Sequence, residues 1–347
     1  MSRPLNDPTR RESAAAPTDW AAAPERSNLL ALRFIVGMAL GLGRPLTRLI
    51  LHPITLYFLL FAPTPRRHIR RYLARAIGPR AGWRDGYRLL HAFSSTVLDR
   101  VFFLRGRIDL FDVRIEGQSR IESQLRQGRG AFLIGAHVGS FEALSACRQL
   151  QRTPPAAPAG SVAGEGAGAP DLRLAMLMYP DNARRINAVL DAISLPGHKP
   201  HVIALGRPAA MLELRDWMDA GGMAGLLADR TLAPTEAGVM AARDHTVMLP
   251  FLGHPAPFSD APFRLAAMLR RPVIFMAGIY QGGARYEVRF ESLADFSQLP
   301  AEAAAREQAI QDALQAYVHR LEALCRAHPH NWFNFHDFWR DDADAKH

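Results

Sequence analysis

At 347 residues, 48% of them apolar, the chain is long enough for one large domain, or one domain with appendages, around a sizeable core. Its formal net charge of +9 comes almost entirely from arginine, with very few lysines, and points to an anionic partner: nucleic acid, an acidic membrane surface or a phosphorylated substrate. The two cysteines, Cys147 and Cys325, form neither a C-x-x-C pair nor a disulfide framework; this argues against a disulfide-stapled scaffold and for packing thiols on a reduced, cytoplasm-facing side.

Residues 1–28, rich in Ala, Pro, Arg and Asp, read as a disordered leader. They do not form a secretory signal, because the apolar region starts too late and no small-residue cleavage site follows it. Residues 29–65 change character and predict a membrane-associating helical segment. Arg33, Arg44 and Arg48 interrupt it, and Pro45 and Pro53 break its helical continuity. The charge-free runs 34–43 and 49–63 are both shorter than the roughly 20 residues of an ordinary span. One tilted, kinked span and two helices dipping into one leaflet both fit, and a buried hairpin with a solvated arginine face is the plain alternative.

Arg66, Arg67, Arg70, Arg71 and Arg75 follow at once and place this end on the cytoplasmic side by the positive-inside rule. Arginine beside apolar segments favours a membrane surface over nucleic acid, for which no zinc-finger spacing or RNP-like motif speaks. Residues 66–127 read as a helical basic region. Trp83, Tyr87, Leu90, Phe93 and Val97 recur at helical spacing and are expected in the core, with Asp99 and Arg100 closing that helix. A strand is expected over 111–117 and a short amphipathic helix over 119–127.

The core is expected over 128–340, ahead of a polar tail at 341–347. It opens with the run from Gly130 to Glu142, G-A-F-L-I-G-A-H-V-G-S-F-E. The short apolar stretch 131–134, bounded by glycines, suits a central strand of an α/β sheet. Its carboxyl end, where His137 falls, is where open α/β sheets bind ligands. His137 is thereby a candidate general base, with Glu142 as the group orienting it. The plain alternative is a core histidine and a glutamate on a solvated helix face.

Residues 153–170, dense in Pro, Ala and Gly, read as a flexible loop, either an insertion or a lid. Strands are then expected at 174–178, 201–205, 223–228 and 246–251. Helices are expected at 181–193, 209–220 and 260–269, followed by a hairpin over 273–290 and a long helix over 302–326. This alternation predicts an α/β fold: a mostly parallel mixed sheet flanked by helices, with an antiparallel edge. Polar residues cluster beyond four strands: His137 with Glu142; Asp181 with Arg184 and Arg185; Asp229 with Arg230; and His254 with Ser259 and Asp260.

With these blocks in place, G-A-H-V-G-S-F-E resembles the H-x4-(D/E) block of the lysophospholipid acyltransferase superfamily. Together with A-D-R, P-F-L-G-x-P-A-P-F and N-W-F-N-F-x-D-F-W, it resembles the lipid A biosynthesis lauroyl/myristoyl acyltransferase family over roughly residues 34–339. The resemblance implies a glycerolipid acyltransferase-like fold and an O-acyltransferase at the cytoplasmic face of a bacterial inner membrane. Such an enzyme would move a fatty acyl group from acyl-carrier protein or acyl-CoA to a hydroxyl of a lipid or glycolipid.

That chemistry needs a base, because an alcohol is a poor nucleophile at neutral pH. His137 is assigned that role and Glu142 the orienting one. Backbone amides of the turn, or an arginine, would stabilise the oxyanion. Asp229, Arg230, Arg184, Arg185 and Ser259 are expected at the substrate site. The resemblance gives Arg230 a phosphate or sugar to bind, and an ion pair with Asp229 is the alternative. Ser259-Asp260 stands where relatives often carry a small residue and glycine. The aromatic run Trp332, Phe333, Phe335, Phe338, Trp339 belongs either to the core or to an acyl groove. No metal or organic cofactor is expected, since His328, His330 and His336 lack acidic partners at ligand spacing. Two other functions compete: a lipid-ester hydrolase, against which the absence of a G-x-S-x-G elbow counts, and an inactive membrane adaptor.

Overall fold

The computed structural model describes residues 25–144, 172–178, 193–194, 200–230 and 246–339. The residues before 25, Cys147, the loop expected at 153–170, most of the helix expected at 181–193 and the tail lie outside the described residues, as do Arg184 and Arg185.

Helix α1, Glu25–Phe61, takes in the last residues assigned to the leader and is kinked at Gly43, whose φ of 73° and ψ of 166° leave helical space just before Pro45. Beyond the kink, Thr47, Leu51, Thr55 and Leu59 form a buried stripe at every fourth position. The opposite side is apolar as well: Leu46, Leu49, Leu56, Tyr57, Phe58, Leu60 and Phe61 are exposed. A helix of a soluble protein normally shows water a polar face there. Pro63 opens helix α2, Pro63–Ile77, and the two helices meet at 93°. No single helix is long and apolar enough to cross a membrane, although the bent pair passes that test together. In α2, Ile69, Tyr72, Leu73 and Ala76 face inward, while Arg66, Arg67 and Arg70 are exposed.

Helix α3 runs Trp83–Leu104, four residues past the stop expected at Arg100. Asp99 does not end it because the carboxylate is buried and paired: Arg44 reaches its two oxygens at 2.8 and 2.9 Å, and the Tyr286 hydroxyl donates at 2.8 Å. Trp83, expected in the core, is 67% exposed, because it occupies the first helical position, where the backbone has only just arrived at the domain.

A single sheet of seven strands forms the centre. Its strands are β1 (Asp112–Glu116), β2 (Phe132–Gly135), β3 (Leu174–Met178), β4 (His201–Ala204), β5 (Met223–Leu227), β8 (Pro272–Gly282) and β9 (Arg285–Asp295). Their spatial order is β1-β9-β8-β2-β5-β3-β4, all parallel except the β8–β9 hairpin. Helix α4 (Gln118–Gln127) precedes β2, and α5 (Pro208–Asp219) precedes β5. The fold is α/β, with a mostly parallel mixed sheet flanked by helices. Phe132, Leu133 and Ile134 of β2 are fully buried, as suits a strand covered on both faces.

Between the strand expected at 246–251 and the helix expected at 260–269, the structure adds a strand that the sequence reading did not include. β6 (Thr246–Phe251) and β7 (His254–Ser259) make a separate antiparallel hairpin. Pro250 faces Pro255 across it, and a two-stranded ribbon tolerates these prolines because each strand has a free edge. Helix α6 (Ala261–Met268) follows, and α7 (Ala303–Ala327) packs its buried stripe of Leu314, Tyr317, Val318, Leu321 and Cys325 into the core. Tyr317 donates its hydroxyl to the Gly135 carbonyl at 3.0 Å, on the last residue of β2.

Candidate active site

The site grows out of one register. Gly135 of β2 lies beside Leu227 of β5 in a parallel pair, so the residues two places beyond each strand end are also neighbours. Those residues are His137 and Asp229. Asp229 Oδ1 is 2.7 Å from His137 Nδ1, and Oδ2 accepts the backbone N–H of His137 at 3.0 Å. Oδ2 also accepts the indole N–H of Trp332 at 2.8 Å.

Burial of the Asp229 side chain pushes its carboxyl up, but His137 and the three donors outweigh this and hold it below the usual carboxylate range. An ionised carboxylate only accepts hydrogen bonds. Nδ1 therefore carries the hydrogen, and Nε2 keeps the lone pair of a base. The His137 side chain is 30% exposed, and Nε2 has no hydrogen-bond partner among the described residues.

The turn after β2 is held by close backbone contacts. Gly139 has a φ of +58°, and a Cβ there would come within 2.0 Å of the Gly278 carbonyl oxygen. The four N–H groups of residues 137–140 are all used. His137 N–H goes to Asp229, Val138 N–H to Ala136 O at 2.6 Å, Gly139 N–H to Asn331 O at 2.9 Å and Ser140 N–H to Gly278 O at 2.8 Å. The amides expected to offer an oxyanion site thus already donate within the protein.

Glu142 does not orient His137, contrary to expectation. The left-handed step at Gly139 and a 3₁₀ turn, Phe141–Ala143, carry its carboxylate to helix α3, where Oε1 lies 2.7 Å from Arg100 Nε. Ser140 donates its hydroxyl to Glu142 Oε2 at 3.2 Å. Sequence spacing suggested a His–Glu pair; the structure makes a His–Asp pair from two strands.

The Asp229 carboxylate is thus taken up by His137 and Trp332, and it is not ion-paired to Arg230 among the described residues. Arg230 is exposed beside it. Ser259 ends β7 and accepts the Ala261 N–H at 3.2 Å, capping the turn into α6, while Asp260 holds Arg264 at 2.9 Å. His336 was not singled out as a site residue, yet its imidazole senses Arg230, Asp229, His137 and His68. Burial first, then Arg230, pushes it down to about 4. The aromatic run near the carboxyl end lies in the core: Trp332, Phe333, Phe338 and Trp339 are buried. Arg75 of α2 caps Trp339 at 4.1 Å. Among the described residues no group of three or more His, Cys, Asp or Glu is placed to hold a metal ion.

The pairing had a sequence signal of its own. I-G-A-H and L-L-A-D place a polar residue at the same offset after two buried strands. Comparison of the chain with protein-family models and with curated proteins finds no match.

Proposed function

We propose that the protein is a membrane-associated O-acyltransferase of glycerolipid acyltransferase-like fold, akin to the lipid A lauroyl/myristoyl acyltransferases. The observation that carries the reading is the His137–Asp229 pair: a buried carboxylate on Nδ1, with Nε2 left as a base at the carboxyl ends of parallel strands. In this mechanism Nε2 takes the proton of an acceptor hydroxyl. The oxygen attacks the carbonyl of an acyl thioester, the C–S bond breaks, and the proton passes from the imidazolium to the leaving thiolate. Asp229 stabilises the imidazolium meanwhile. Because the turn amides are occupied, Arg230 is our candidate for the oxyanion or for an anionic headgroup of the acceptor.

The apolar outer face of α1 and the exposed arginines of α2 support work at an anionic bilayer, on the cytoplasmic face of a bacterial inner membrane. The donor would be acyl-carrier protein or acyl-CoA, and the acceptor a lipid or glycolipid. The hydrolase reading would need an enzyme nucleophile or a held water. The one serine of the turn, Ser140, donates to Glu142 instead.

The test supplies labelled acyl-carrier protein and membranes to wild-type protein and to His137→Ala. Labelled lipid should form with the first and not the second, while both bind membranes equally. An equally active His137→Ala protein would refute the mechanism. Label appearing as free fatty acid without an acceptor would favour the hydrolase.

A further inference from the structure

We infer that Trp332 is a positioning residue for the His137–Asp229 pair, and that helix α2 keeps it in place. Only the kinetic arm of this inference rests on the acyl-transfer reading. Three donors hold the Asp229 carboxylate: the ring and the backbone N–H of His137, and the Trp332 indole N–H at 2.8 Å. Two of the three belong to His137 itself. The indole is the only one that fixes the carboxylate independently of the base it must orient. Without it, the carboxylate and imidazole can tilt together, and Nε2 loses its aim.

Trp332 is pinned from both sides. Its backbone bridges Val138, Phe333 N–H donates to the His137 carbonyl at 2.8 Å, and Asn331 O accepts Gly139 N–H. Asn331 in turn clamps Tyr280, accepting its N–H at 2.8 Å and donating to its carbonyl at 3.1 Å. The indole ring meets Tyr72 of α2 edge-on, with centroids 4.8 Å apart. Helix α2 thus turns Tyr72 toward the catalytic pair and Arg66, Arg67 and Arg70 toward solvent. The helix that would meet a bilayer is one aromatic contact and one hydrogen bond away from the carboxylate.

The experiment uses the full chain in anionic nanodiscs. One variant is Trp332→Phe. Another carries benzothienylalanine at position 332, an isostere with sulfur in place of the indole N–H. Histidine-labelled NMR follows the His137 imidazole, with His137→Gln to assign its signal. Loss of one donor frees the Asp229 carboxylate to tilt, so the His137 Nδ1–H signal should broaden and move upfield in both variants. In the acyl-transfer assay kcat should fall roughly tenfold with KM unchanged. A purely structural role would lower the melting temperature of Trp332→Phe and leave the isostere's Nδ1–H signal where it was. That result overturns the inference. The NMR readout decides the matter even if the wild-type protein transfers no acyl group, so the two readings fail separately.

Discussion

Asp229 gives both carboxylate oxygens to His137, one to the ring at 2.7 Å and one to the backbone N–H at 3.0 Å. A carboxylate that grips a residue at two points fixes the ring's direction as well as its tautomer. The strongest prediction about the chemistry follows from this grip.

Asp229→Asn should be far more damaging than its size suggests. An amide can keep accepting from the His137 and Trp332 N–H groups through its oxygen, but its NH₂ then faces Nδ1. That moves the ring hydrogen to Nε2 and leaves no base. We expect kcat to fall by about 10³- to 10⁴-fold with KM little changed. A loss smaller than tenfold in steady-state kinetics would show that Asp229 is not the orienting acid.

Glu142→Gln gives the complementary result. Glutamine keeps the shape, and the charge opposite Arg100, 2.7 Å away, is lost. The stability loss should be about 1–3 kcal/mol in denaturant unfolding, with kcat falling less than for Asp229→Asn. Equal kinetic losses in the two variants would return Glu142 to the catalytic group.

Stability should decline on mild acidification, and His91 supplies part of the reason. Burial, then His52 and Arg48, push its imidazole down to about 4 from a usual 6.5. Its ring stacks on His52 at 4.6 Å and faces Tyr87, and its Nε2 is buried with no hydrogen-bond partner among the described residues. The unfolded chain takes up a proton as pH falls below about 6.5, and the folded chain refuses it until about 4. Stability is therefore lost across that window and levels off below it as far as this group is concerned. His336 adds a loss of the same sign. Melting curves at several pH values should show a shallower acid decline for His91→Phe than for wild type, and parallel declines would rule the group out.

Membrane attachment should depend on two kinds of contact at once. Phe58→Ser with Phe61→Ser removes apolar surface from the exposed end of α1, while Arg66, Arg67 and Arg70 changed to Gln remove charge from α2. At about 1 kcal/mol per arginine, the triple Gln variant should bind phosphatidylglycerol vesicles roughly a hundredfold more weakly. Neutral vesicles should show almost no difference between it and wild type. Unchanged co-sedimentation with anionic vesicles would move the attachment elsewhere.

The sheet was legible because its strands carry their own signal: F-L-I-G, M-A-G-L-L and the long hairpin are apolar runs between glycines and polar turns. What local patterns did not convey was partnership. His137 and Asp229 are 92 positions apart, and Arg44 and Asp99 are 55 apart. Asp99 read as a helix stop because an unpaired carboxylate would be one; only the arriving guanidinium makes it a core residue. The hairpin at 246–259 was half missed for a different reason. Three prolines, Pro250, Pro255 and Pro257, suppress a strand reading that holds only where the sheet has two strands. Trp332 read as one more aromatic, since nothing in the sequence marks which indole has a carboxylate waiting.

The Arg44–Asp99 bond also bears on how the protein can be handled. The usual way to obtain a soluble form of such a chain is to cut away its apolar front. Here that cut would remove Arg44 and leave Asp99, fully buried, with the Tyr286 hydroxyl as its remaining side-chain partner among the described residues. Removing one partner of a buried ion pair costs about 3–5 kcal/mol, a large part of an ordinary domain's stability. A shortened form should therefore be made with Asp99→Asn already in place. The front of this chain is a structural member of the domain, tied to its core through Arg44.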